Sequence, residues 1–446
     1  MKRISTAARA AAVLTTGLIV VAGCSSSSSK STTGGSSSSG GGTATTVAPF
    51  DNSWALNYTG GKAGKADPSL TPITVGYVNQ EGGTPAFPEA TQGIDATAQY
   101  INTELGGVQG HPIELEKCFV QTEEDGQKCG TQLANDSKVS FVITGALANG
   151  NQSLYNVLTG KKPILIGNPL TTPDFTTSDG YAYTPGAPGV VEGLAVYIAK
   201  NLTGVKKVAA VYNSNPSGTV AFTALFKPPL AKLGITDVVG VPVADTATAT
   251  DVTSALQAAG ADKADVVAPL TTVQSCIATY DALQSLGLKP TVVTTGLCFG
   301  TPMTKHLSDL GSKDTVPNGW YFGGYGYSYF LPEQDPGMNT YVNHVVKTYG
   351  PKDMEYTGFA GPMFGNLMTA TQLMNKIGPT NITPDSMRTA IKAFTGPQAL
   401  VIGPMACGSS TVFKTLCGEE MNVQQYKDGK WTIVAPEINP KTSLGS

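Results

Sequence analysis

Residues 139–143, Val-Ser-Phe-Val-Ile, make a nearly continuous apolar run between two stretches of helical spacing. A strand wetted on one face alternates apolar and polar residues, whereas a run apolar at almost every position suits a parallel strand covered on both faces. Parallel neighbours must be joined by a crossover, usually a helix, so this pattern commits the chain to alternating strands and helices. The beat recurs. Strands are predicted at 73–78, 112–119, 139–143 and 164–166, with helices at 89–105, 126–136 and 152–158. After a helix at 189–202 a second series begins, with strands at 207–212, 236–241, 264–268 and 291–294 and helices at 218–233, 251–259 and 273–286. Pro228-Pro229 interrupts the first of these helices. The apolar run 320–322 follows, then helices at 338–349 and 359–377, another opening at Thr383-Pro384, and a hairpin around Asp428-Gly429. The fold class this predicts is α/β, with two doubly wound α/β lobes.

Ahead of that body, Lys2, Arg3 and Arg9 precede an apolar run over 10–22 that ends in small residues before Cys24. This is the plan of a signal peptide, over 1–23, and the run is short of the roughly 20 residues a membrane-spanning helix needs. The Ala22-Gly23-Cys24 ending resembles a bacterial lipobox. That resemblance implies lipidation of Cys24, which would become the first residue of the mature protein and anchor it at the outer face of the membrane. Residues 25–46 are almost wholly Ser, Gly and Thr, so 24–46 is expected to be a disordered tether. Such a coil has a typical end-to-end distance of roughly 25 Å. Residues 47–71 form a leader, with Trp54 and Tyr58 expected to pin it to the body.

Composition narrows the chemistry. Net charge is −3 and no basic stretch follows the signal region, which argues against nucleic acid as a partner. With Cys24 acylated, six of the seven cysteines remain, an even number that suits disulfides in an exported chain. Of the fifteen connectivities open to six cysteines, short separations favour Cys118 with Cys129, Cys276 with Cys298, and Cys407 with Cys417. No Cys-x2-Cys spacing occurs and the three histidines are far apart, so no metal site is expected. Gly-x-Ser-x-Gly, His-Glu-x-x-His and Gly-x-Gly-x-x-Gly are missing from the sequence, and 59–66 fails as a P-loop because Thr59 and Ala66 stand at defining positions. Neither an enzyme nor a cofactor is expected.

The segment Leu105-Gly106-Gly107-Val108-Gln109-Gly110-His111-Pro112-Ile113-Glu114-Leu115, the run Lys206 to Tyr212, the stretch from Leu283 to Pro290 and the closing Tyr-x-x-Gly-Lys-Trp element at 426–431 resemble the leucine/isoleucine/valine-binding proteins of ABC importers. The resemblance implies two lobes joined by a three-crossing hinge, closing on a small solute. Lobe 1 is expected over 72–186 plus 319–396 and lobe 2 over 187–318 plus 397–446, with crossings near 184–188, 316–319 and 395–401. It also implies delivery of the solute by a monomer to permease and ATPase subunits. A membrane signalling partner, or a cell-wall interaction without transport, are the competing functions.

In open α/β sheets, ligands sit beyond the carboxyl ends of the strands. That rule and the resemblance nominate Glu81, Leu147, Ala148, Asn149, Leu170 and Thr171 in the first lobe. In the second they nominate Ser217, Thr272 and Leu297, with Tyr325 from an aromatic cluster as a cleft wall. Asn149 stands where amino-acid binders usually carry a serine for the ligand carboxylate, and Thr171 on their threonine. The acidic partner for the ligand ammonium is replaced by Gly296-Leu297-Cys298-Phe299, and Ala187 stands near the aspartate expected at the first crossing. Glu81 is the candidate substitute. An unpaired buried ammonium is costly, so the expected solute is small and polar, an amino acid, amide or carboxylate-like molecule, with a plain α-amino acid in doubt.

Overall fold

A computed structural model of the chain describes residues 50–324, 336–352, 354 and 359–445. Cys24, the signal region, the tether and Tyr325 lie outside the described residues.

Strands β1 (Ile73–Gln80), β2 (Ile113–Val120), β3 (Val139–Ala146), β4 (Ile164–Asn168) and β5 (Gly180–Tyr181) form a five-stranded parallel sheet in the order β2-β1-β3-β4-β5. Strands β6 (Lys207–Asn213), β7 (Asp237–Val243), β8 (Val266–Leu270), β9 (Thr291–Thr295) and β10 (Tyr321–Gly324) are parallel, and β11 (Met421–Lys427) and β12 (Lys430–Ile438) extend them antiparallel. The order in this second sheet is β12-β11-β10-β9-β8-β6-β7. Both lobes therefore repeat one doubly wound plan, with the order reversing between β1 and β3 in one and between β6 and β8 in the other.

The reason lies in burial. Every residue of β4 and β8 is buried, as apolar runs covered on two faces require. The helix Pro88–Glu104 turns Ala90, Ile94 and Ile101 inward and carries Pro88 in its first turn, where a missing N–H costs nothing. Helix Ala360–Ile377 crosses it so closely that a Cβ on Gly93 would lie 2.8 Å from the Ala360 carbonyl oxygen. Pro228-Pro229 is accommodated by a π-helical turn, Ala221–Phe226, in which Lys227 N donates to Phe222 O. The wider turn shifts the hydrogen-bond register just ahead of two residues that lack an N–H.

Residues 319–324, given to lobe 1 by the sequence reading, pair in the second sheet. Tyr321 lies opposite Val293 on one side and Gln425 on the other. Ala399, Leu400, Val401 and Cys417 pack with the lobe 1 core, and Ala182 bridges to Leu416, so the final passage into lobe 2 falls between Cys417 and β11. Cys118–Cys129, Cys276–Cys298 and Cys407–Cys417 are disulfide-bonded, the three short-range pairs.

The leader docks on lobe 1. The Tyr58 hydroxyl lies 2.6 Å from Thr369 Oγ1, Asn375 Nδ2 donates to Thr59 O at 2.8 Å, and Trp54 N donates to the Tyr341 hydroxyl at 3.1 Å. Glu104 accepts from Asn52 at 2.7 Å and Tyr349 at 2.6 Å and pairs with His344 at 2.6 Å. Burial pushes its carboxyl up, but these hydrogen bonds outweigh burial and leave it below the usual glutamate range.

Candidate functional site

A cavity of about 150 Å³ lies between the carboxyl ends of the two sheets. Its walls differ in kind.

Lobe 1 supplies Pro85 and Phe87 after β1, Ala148 after β3 and Leu170 after β4, with Pro362 and Leu400 from the later segments. The backbone N–H groups of these loops, which would favour an anion, are already engaged. Ala148 N and Asn149 N donate to Gln80 Oε1 at 2.7 and 3.2 Å, and Gln80 Nε2 donates to Pro85 O at 2.9 Å. Gly150 N donates to Glu123 Oε1 at 3.0 Å. Leu170 N and Thr171 N donate to Asp174 Oδ2 at 2.9 and 2.8 Å. Asp174 also accepts from the Tyr155 hydroxyl at 2.6 Å, and burial pushes its carboxyl above the ordinary aspartate range despite these bonds. Once its amides are turned inward, what lobe 1 offers the cavity is mainly carbon. Leu400 holds φ at 65°, a left-handed conformation rare for leucine, and so stores strain at the cavity wall.

Lobe 2 supplies hydroxyls and amides: Asn213, Asn215 and Ser217 after β6, Thr271 and Thr272 after β8, and Thr295 after β9. Asn213 is a brace, accepting from Thr272 N at 2.7 Å and donating to Ser275 Oγ at 3.0 Å. Asn215 caps the following helix through Gly218 N at 2.8 Å and donates to Asp245 at 2.8 Å. Ser217 and Thr272 line the cavity. Leu297, Phe299 and Phe322 complete this wall, with Phe299 and Phe322 edge to face at 5.4 Å. Cys276–Cys298 ties the loop bearing Leu297 and Phe299 to the helix Val273–Ser285.

Between the lobes, Thr184, Ala187, Val190 and Val191 line the cavity from the first crossing and the helix Gly186–Asn201, and Gln424 does so from β11. Among the described lining residues none is charged. No group of three or more potential metal ligands occurs among the described residues, and none of their helices is long and apolar enough to cross a membrane.

Of the nominated residues, Ala148, Leu170, Ser217, Thr272 and Leu297 meet at the cavity. Leu147, Asn149, Thr171 and Glu81 do not line it. Thr171 is buried, caps the helix Thr172–Thr176 with Asp174 and accepts from Asn151. Glu81 lies 3.4 Å from Asn79 Nδ2, outside the cavity wall. Thr184, Val190, Val191 and Gln424 were not foreseen. Gln424 carried a usable signal, since Asn422 and Gln424 put two polar residues at strand spacing on one face.

A sequence profile of periplasmic binding proteins matches residues 72–430, most of the chain. The chain belongs to the periplasmic binding protein family. Solved structures agree on the fold. This binding protein superposes on a leucine-binding protein of Thermotoga maritima with a TM-score of 0.65 at 16% identity, covering 83% of this chain and 99% of that one. A solute-binding protein of an ABC transporter from R. palustris, in complex with 4-hydroxybenzoate, gives 0.64 at 18% identity, covering 82% and 96%. A fatty acid ABC transporter substrate-binding protein from Thermomonospora curvata gives 0.65 at 15% identity, covering 87% and 97%. A search of curated protein sequences returns no match.

Proposed function

We propose that this binding protein captures a small solute between its lobes and delivers it to the permease and ATPase subunits of an ABC importer. It does so by binding and hinge closure rather than catalysis, as a monomer held to the outer face of the membrane by lipid on Cys24. The solute has an apolar body the size of one ring or one branched chain, with polar groups at one end. The observation that carries this reading is a cavity between two unlike walls with no charged residue among its described lining. A void of comparable size lined by apolar side chains takes up a benzene ring. A zwitterion would need both charges met, and an ammonium desolvated without a carboxylate is strongly disfavoured. Solved relatives in complex with 4-hydroxybenzoate, or named for fatty acids, support a preference beyond amino acids within this fold. Contacts made to both lobes only in the closed form would shift the hinge equilibrium toward closure.

The lobe division we propose follows sheet membership, with the passages after Tyr181, after Gly324 and before Met421 as the hinge. Native mass spectrometry of the purified protein, followed by melting curves against branched and aromatic amides, alcohols and monocarboxylates, tests the function. A rise in melting temperature with such solutes is expected, and no response to any of them contradicts it. Metabolic labelling with a radiolabelled fatty acid tests the anchor: the label is expected on the wild-type chain and lost in Cys24→Ala.

A further inference from the structure

The leader is linked to the cavity wall through a short chain of side chains. Tyr58, in the helix Ser53–Thr59, holds its hydroxyl 2.6 Å from Thr369 Oγ1 and donates to Pro397 O at 3.1 Å. Thr369 lies on the helix Ala360–Ile377 and donates to Gln398 Oε1, and Gln398 Nε2 donates at 3.0 Å to Asn366 Oδ1 of the same helix. Thr369 and Gln398 are buried, so these bonds are shielded from water. The segment held in this way runs directly into Ala399, Leu400 and Val401, which line the cavity. It also lies hard against the helix, since a Cβ on Gly365 would sit 2.8 Å from Ala399 O.

Resting on the solute-binding reading above, we infer that Tyr58 is a positioning residue of the solute site, through which the leader holds the wall at Ala399–Val401 in place. Tyr58 is not among the lining residues, and the leader precedes residue 72, where the match to the family begins. Leu400 has φ at 65°, and a left-handed leucine persists only where its surroundings over-determine it. The backbone of the segment supplies part of that constraint, through Val401 N to Gln398 O at 3.3 Å and Met405 N to Thr395 O at 3.2 Å. The chain from Tyr58 through Thr369 to Gln398 supplies the rest. A wall of carbon holds a solute only by close contact, and a gap of about 0.5–1 Å forfeits roughly a quarter to a half of each dispersion contact. A small relaxation of Leu400 is therefore enough to weaken binding. The leader's bonds at its other end, from Asn52 to Glu104 and Tyr100, reach no lining residue.

The test compares Tyr58→Phe and Thr369→Val, which each remove one hydroxyl and keep the shape of the side chain, with Asn52→Ala, which loosens the leader away from the wall. Each full-length protein is stripped of bound ligand by unfolding and refolding, titrated calorimetrically with benzamide and 4-methylpentanamide, and followed without ligand by hydrogen exchange read by mass spectrometry. Tyr58→Phe and Thr369→Val are each expected to weaken both amides about fivefold, the scale of one neutral hydrogen bond, and to speed exchange of the backbone amides over 398–405. Asn52→Ala is expected to lower the melting temperature while leaving affinity and that exchange unchanged. Wild-type affinity and exchange in Tyr58→Phe, or an equal loss of affinity in Asn52→Ala, overturn this inference and leave the solute-binding reading standing. A wild-type protein that responds to no solute in the wider panel overturns that reading, and with it the positioning role.

Discussion

The two lobes share a strand order and a cavity but not a surface chemistry. Lobe 1 has turned its loop amides onto its own side chains, Gln80, Glu123 and Asp174, and presents Phe87, Ala148 and Leu170. Lobe 2 keeps Ser217, Thr272 and Thr295 at its face. The lesson is that a doubly wound sheet supplies the place for a ligand, while the hydrogen-bond accounting of each loop decides what the place accepts. One fold can therefore serve an anion-binding lobe or a carbon-lined one by changing a few side chains that never touch the solute.

The comparison is broken most severely at Asp174. Asp174→Ala strands two amides and the Tyr155 hydroxyl, and is expected to cost about 4 kcal/mol in denaturant unfolding. A loss below about 1 kcal/mol would mean that these loops are not held as described. In lobe 2 the equivalent brace is covalent. Replacing Cys276 and Cys298 together by alanine is expected to cost about 3 kcal/mol and to loosen Leu297 and Phe299, read as weaker solute affinity. Unchanged stability and affinity would remove the disulfide from the account of the site.

A third prediction concerns the helix between the lobes. Glu192 is pushed up to about 7 by burial. A carboxyl whose folded value is raised costs nothing when protonated in both states. Its ionisation penalty grows as pH rises from the ordinary glutamate range, 4.5, to about 7, and then stays constant. Glu192→Gln is therefore expected to stabilise the protein by about 2 kcal/mol at pH 8 and by almost nothing at pH 4. Equal effects at both values would show that burial of the charge is not the cause. Smallest are the direct contacts. Leu170→Ala is expected to weaken a bound amide such as benzamide about tenfold by removing part of the apolar wall. Thr272→Ala should weaken it about fivefold, as loss of one neutral hydrogen bond does. The reverse order would invert the assignment of the walls.

Much of this plan was legible in the sequence, because burial on both faces forces apolar runs that periodicity reveals. The alternation of strands and helices, the three local disulfides and several of the loops that meet at the cavity followed from that pattern and from the resemblance to the family. What could not be read was which way a loop's polar groups turn. Asn149 and Thr171 sit where a carboxylate is expected to bind, yet Thr171 caps a helix and the amide of Asn149 is held by Gln80. Gln80 and Asp174 lie many residues from the amides they occupy or inside the next turn, and spacing alone does not couple them. The strand Tyr321–Gly324 pairs in the second sheet, a membership the sequence does not reveal because four residues carry too little pattern to choose between two sheets.

The central claim is that the cavity takes an apolar body with an uncharged polar end in preference to a zwitterion. Calorimetric titration of the ligand-stripped protein with leucine and with 4-methylpentanamide, which share a branched chain, tests it most directly. The amide is expected to bind and leucine to give no heat of binding at millimolar concentration. Leucine binding as tightly as the amide, or more so, would contradict the account.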